Sequence, residues 1–138
     1  FEETLSLTAA ARYHSMFSFK YSPRPNTLAS KRMTDDVDAA EKTSRIVALQ
    51  ALQREIQTGL HEAAVGTEVE VLVDSVSRRR ADEVSGRTPG NTVVNFAAPA
   101  DTVAQEARAG GQAYWIGRTA RVRITRGGPH SLWGEAIV

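Results

Sequence analysis

The sequence predicts an α+β protein: an N-terminal segment of helix, strand and long helix, then a small five-stranded antiparallel β-barrel. Three observations carry this expectation. One apolar stripe recurs at three- and four-residue spacing between Asp38 and Glu62. After Gly66 the apolar period changes to two. From there to the end, short alternating runs are separated by glycine and proline turn chemistry.

Taken in order, Glu2 to Arg12 reads as a short helix with Glu2 and Glu3 at its positive end. Met16 to Tyr21 alternates, with Phe17, Phe19 and Tyr21 on one face, so a strand is expected there. Pro23 and Pro25 end it, and residues 28–37 are polar and read as a loop. The long helix follows, its stripe formed by Ile46, Leu49, Leu52, Ile56 and Leu60, with Glu41, Arg45, Gln53 and Gln57 off it. Strands are then expected at 67–73, 83–87, 92–97, 119–125 and 131–137. Gly86, Pro89-Gly90, Gly110-Gly111 and Gly127-Gly128-Pro129 supply turns or bulges. Five short strands in about seventy residues suggest a closed or partly closed barrel of the oligonucleotide-binding kind. Val69, Val71, Val94, Phe96, Ile116, Val122, Ile124 and Leu132 are the expected core. Residues 98–114 read as a long inserted loop.

Composition narrows the chemistry. In 138 residues there is no cysteine, which excludes disulfides, iron–sulfur clusters and thiolate chemistry in this chain. No apolar run is long enough to span a membrane, so a cytoplasmic protein without membrane contact is expected. Phe1-Glu2-Glu3-Thr4 is no signal peptide and reads as the cut end of something longer. His14, His61 and His130 have no metal spacing, and no metal site or catalytic constellation is expected. The net charge of +1 hides an asymmetry: all nine basic residues after Val65 are arginine. Arginine is the better fork for phosphate and for base edges.

Two stretches carry a resemblance. Phe17-Ser18-Phe19-Lys20-Tyr21-Ser22-Pro23-Arg24-Pro25-Asn26-Thr27 resembles the segment that closes the radical-SAM barrel of bacterial tRNA methylthiotransferases, which usually have Gly at the Asn26 position. Gly66 with Glu68-Val69-Glu70-Val71-Leu72-Val73, Gly86-Arg87-Thr88, Asn91 and Val93-Val94-Asn95-Phe96 is similar to a TRAM domain, as is the ending Ile116-Gly117, Val122-Arg123-Ile124-Thr125 and Leu132-Trp133-Gly134-Glu135. The resemblance implies three parts: residues 1–34 as a remnant of the radical-SAM barrel, 35–65 as a connecting helix, and 66–138 as an RNA-binding TRAM barrel.

Of the family's branches, Phe17 to Pro25 with Gly86-Arg87-Thr88 and Asn91 is most similar to the one that methylthiolates N(6)-isopentenyladenosine beside the anticodon. The alternative is a docking module of a branch acting on a ribosomal protein or on threonylcarbamoyladenosine in tRNA. A parent of this family would use two 4Fe-4S clusters and S-adenosylmethionine. The present chain would hold none of them, and would bind the anticodon stem-loop without making bonds.

The residues expected to bind RNA are Arg78, Arg79, Arg80, Arg87, Asn91, Arg118, Arg121, Arg123 and Trp133. Arg121 and Arg123 alternate with Val122 and Ile124, so both should leave the core on one face. Trp115 and Trp133 are the candidates for base stacking, and Trp133 is equally plausible as the plug of the barrel. Lys20, Tyr21, Ser22 and Arg24 are read, through the resemblance, as the rim of the parent's active site. The strand at 17–21 has no sheet partner in residues 1–65, so packing on the long helix or pairing across a dimer is expected.

Overall fold

The computed structural model describes residues 1–77, 80, 82–98 and 111–137. The chain divides into two compact units, Phe1–Gln57 and Thr58–Val138, with the boundary inside one long helix.

In the first unit, α1 spans Glu2–Ala11 and ends where Arg12 turns left-handed, its backbone N–H closing on the Thr8 carbonyl. The expected strand is not formed. Residues 15–24 carry no regular structure, and Phe17 and Phe19 are 91% and 84% exposed. The alternation is real, but a strand exists only through ladder bonds to a neighbour, and no strand lies beside it among the described residues of this unit. The loop expected at 28–37 also needs correcting, because α2 forms over Leu28–Arg32. Thr27 caps it, its hydroxyl accepting from the Ser30 N–H, an N-cap of the ordinary kind. Helix α3, Ala39–Ala63, matches the expected long helix. Gln53, assigned to its polar side, is instead buried and donates from Nε2 to the Tyr13 carbonyl at 2.6 Å.

The second unit is the barrel. Its strands are β1 (Glu68–Val76), β2 (Glu83–Arg87), β3 (Val93–Ala97), β4 (Thr119–Gly127) and β5 (Leu132–Ala136), with a 3-10 turn over Gly111–Trp115. They close in the order β1-β2-β3-β5-β4, with β4 pairing back onto β1. The expectation of a wholly antiparallel barrel fails at one seam, where β3 and β5 run parallel. The antiparallel pairs β1–β2, β2–β3, β1–β4 and β4–β5 give β1, β3 and β5 one common direction, so closure of β5 beside β3 is necessarily parallel.

Alternation sends Val71, Val73, Val84, Val94, Phe96, Val122, Ile124 and Leu132 into the interior. Each such side chain contributes about 1.5–3 kcal/mol relative to exposure. Two expected core members need correction. Val69 only packs at the margin, and Ile116 is 48% exposed, since the 3-10 turn buries its neighbour Trp115 instead. The ladder slips by one residue at two places, between Val73 and Ser75 in β1 and between Ile124 and Arg126 in β4. Most of the loop expected at 98–114 lies outside the described residues.

Candidate nucleic-acid interface

Helix propensity and capping build the first unit, but the exposed cations that alternate with a buried ladder belong to the barrel. On β4, Arg121 and Arg123 leave the core on one face, as their alternation with Val122 and Ile124 requires. Both point at Glu68 on β1: Arg121 Nη2 donates to Oε2 at 2.6 Å and Arg123 Nη2 to Oε1 at 2.7 Å. Cross-strand register explains the meeting, because Glu68 lies opposite Arg123 and Glu70 opposite Arg121. The Arg123 hydrogen bond above all, joined by the positive charges of Arg121 and Arg123, holds the Glu68 carboxyl below its usual range against the opposing effect of desolvation.

Arg118 sits just before β4. Its guanidinium lies 4.1 Å from the Tyr114 ring centre, and its Nε donates to the Tyr114 carbonyl at 2.9 Å. Arg126, at the far end of β4, lies 3.8 Å from the ring centre of Trp133 on β5. These are two arginine–aromatic stacks, a geometry suited to nucleobases as well as to phosphate.

Arg87 and Asn91 are brought together at the β2–β3 turn. Arg87 Nη1 donates to Asn91 Oδ1 at 3.0 Å, and Nε to Asp74 Oδ2 at 3.2 Å. Asn91 occupies the left-handed region at φ 63°, which asparagine tolerates better than most residues. The pair braces its own turn as well as presenting donors at the surface. Arg80 pairs with Glu83 at 3.0 Å. Arg78 and Arg79 lie outside the described residues. Trp115, expected as a stacking candidate, is instead part of the core, at 9% exposure and edge-on to Tyr114. Trp133 is half-buried and lines a surface cleft.

That cleft has a volume of about 680 Å³, and it adds residues that the sequence reading missed: Ser75, Ser85, Asn95 and Ser131 share it with Trp133, Arg126 and Arg80. The signal was present in the outward positions of β2 and β3, where Ser85 and Asn95 separate buried residues. In the first unit, Lys20, Tyr21, Ser22 and Arg24 do line one cleft, of about 590 Å³. Lys20 Nζ reaches Thr43 Oγ1 at 3.3 Å, and Lys42, ion-paired to Asp35, lies 5.6 Å from the Tyr21 ring centre. Among the described residues no three His, Asp or Glu side chains gather to hold a metal ion. No described helix is long and apolar enough to cross a membrane.

A closed five-stranded barrel with arginines on the outward face of one strand places the second unit among the small β-barrels of the oligonucleotide-binding kind. Residues 62–137 match the family model described as the TRAM domain, and the chain belongs to that family. Across its full length it is 42% identical over 138 residues to the tRNA-2-methylthio-N(6)-dimethylallyladenosine synthase of Geobacter metallireducens, covering 28% of that protein. The protein of the same name from Dichelobacter nodosus is 43% identical over 137 residues, 99% of this chain and 27% of its own length. That of Hydrogenovibrio crunogenus is 46% identical over 105 residues, 76% of this chain and 22% of its own length. The chain thus spans about a quarter of the length of the relatives it matches.

Proposed function

We propose that this chain is the tRNA-holding portion of a radical-SAM methylthiotransferase that converts N(6)-isopentenyladenosine beside the anticodon to its 2-methylthio derivative. The observation that carries the reading is the row of exposed arginines on β4, Arg121 and Arg123 with Arg118 and Arg126 at either end. Their guanidinium groups suit the phosphates of an anticodon stem-loop, and each phosphate neutralised releases counterions. Arg78, Arg79, Arg80, Arg87, Asn91 and Trp133 complete the proposed surface. On this reading residues 1–34 are the end of the parent's catalytic barrel, 35–65 the connecting helix and 66–138 the RNA-binding module. Lys20, Tyr21, Ser22 and Arg24 then form part of the rim of the active site, and the work is done in the cytoplasm.

The parent's two 4Fe-4S clusters and S-adenosylmethionine would supply the sulfur insertion and methyl transfer. Cluster binding in that family rests on cysteine, and this chain has none, so its residues do not fit either cluster. Its own contribution is to bind RNA and to orient the target adenosine.

The test is fluorescence anisotropy of the full 138-residue chain with an anticodon stem-loop at low and moderate salt. Binding that weakens steeply with salt, and whose slope flattens in an Arg121→Ala/Arg123→Ala variant, is expected. No binding at low salt, or displacement of the RNA by a ribosomal protein, overturns the reading.

A further inference from the structure

The two slips in the barrel ladder have a joint effect. Strict alternation from Val71 and Val73 would turn Ser75 inward, and alternation from Val122 and Ile124 would turn Arg126 inward. Each slip inserts one residue, and both side chains emerge on the outer surface instead. The pairing register then runs Ser75–Ser85–Asn95–Trp133–Arg126, one residue from every strand, β1, β2, β3, β5 and β4 in turn. All five line the same cleft, whose lining also includes the Arg80–Glu83 ion pair.

The aromatic end of this row is fixed in place. Arg126 covers the Trp133 indole at 3.8 Å. Behind the ring lies Gly128, where a Cβ would come within 2.5 Å of Trp133 Cζ3. The glycine lets the chain pass against the indole edge and leaves the ring little freedom to turn. A stack held this way costs little ordering entropy when a third planar group is added to it. The rest of the row is neutral and hydrogen-bonding: the Ser75 hydroxyl, which donates to Asp74 Oδ1 at 2.7 Å and keeps its lone pairs for an incoming donor, the Ser85 hydroxyl, and an amide at Asn95 that offers both a donor and an acceptor. A planar, fixed stack beside an amide and hydroxyls is complementary to a nucleobase with its ribose.

We infer that this cleft is a binding site for one unpaired RNA nucleotide, its base stacked on the Arg126–Trp133 pair and its edge read by Asn95, with Ser85 and Ser75 toward the sugar. This rests on the RNA-binding reading and deepens it. The arginines of the outer face hold the phosphate backbone without regard to sequence, whereas this cleft takes an unstacked base and gives the module a preference for loops over paired stems.

The experiment titrates the full chain with a single-stranded RNA octanucleotide and with a blunt, fully paired RNA duplex, following anisotropy and tryptophan emission. Wild type should bind both with a salt-dependent affinity, and only the single strand should quench emission. Trp133→Leu should weaken single-strand binding about tenfold, within the range of one lost base stack, and duplex binding far less. Trp133→Phe should keep most of the affinity, and Asn95→Ala should change the ranking among homopolymer octanucleotides at constant slope. Circular dichroism checks that each variant folds. If Trp133→Leu does not fold, the Asn95→Ala ranking and the wild-type quenching decide. Salt-dependent binding with no quenching and no effect of either variant overturns this inference and leaves the RNA reading standing. Absence of binding to either RNA removes both.

Discussion

His61, in the last turn of α3, donates its Nδ1 proton to the carbonyl of Gly128, with 2.5 Å between the heavy atoms. A carbonyl can only accept, so the proton must sit on Nδ1. His61 is 4% exposed, and Gly127, next to Gly128, lies so close that an added Cβ would stand 2.7 Å from the His61 carbonyl carbon. Helix end and β4–β5 turn are therefore built around one another.

His61→Ala should destabilise the barrel by about 1–3 kcal/mol, because it removes a buried ring and its hydrogen bond to the half-buried Gly128 carbonyl. That corresponds to a fall in Tm of roughly 3–10 °C for a chain of this size. Gly127→Ala should act in the same direction through the clash. Urea unfolding of the full chain measures both, and a His61→Ala midpoint equal to wild type would show that the contact contributes nothing.

Trp115 and Trp133 should separate by the kind of damage they do. Trp115 is in the core, so Trp115→Ala should cost about 3–5 kcal/mol in stability. Trp115→Phe, which restores most of the volume, should bind RNA as wild type does. A Trp115→Phe variant that folds normally but loses RNA affinity would return Trp115 to the binding surface.

Glu68 competes with phosphate for Arg121 and Arg123, since its two oxygens hold one guanidinium each. Glu68→Gln should leave both arginines available to RNA, raising affinity several-fold at low salt and steepening the salt dependence. Anisotropy titrations at three salt concentrations test this. Lower affinity in Glu68→Gln would mean that the carboxylate is needed to orient the arginines.

The lowered pKa of Glu68 fixes the sign of a pH effect. A carboxyl whose folded pKa lies below its unfolded one contributes stability that is present above the unfolded value and lost as pH falls through the folded value. NMR titration of the side-chain carboxyl should find it below the ordinary glutamate range. Arg123→Ala should raise it more than Arg121→Ala does, because the Arg123 hydrogen bond is the largest cause. Equal shifts, or none, would refute that assignment.

Much of this was legible in the chain. The stripe from Ile46 to Leu60 fixed α3, and alternation about Val71, Val94 and Val122 fixed three barrel walls, since both periods arise from local backbone geometry. The exposed face of Arg121 and Arg123 followed from the same alternation. The Phe17–Tyr21 alternation was equally clear and misled, because a strand needs a partner that local pattern cannot supply. Gln53 was misplaced for a related reason: its burial depends on Tyr13, forty residues earlier.

The sequence by itself thus determined which residues could be helix, strand or turn, which side chains could be interior, and that cysteine chemistry has no place here. Only the tertiary structure decided that β5 runs parallel to β3, that Glu68 neutralises two arginines, and that Ser75 and Arg126 face outward beside Trp133. Those are matters of register between strands distant in sequence. A slip of one residue reverses the face of a side chain without leaving a mark in the local pattern.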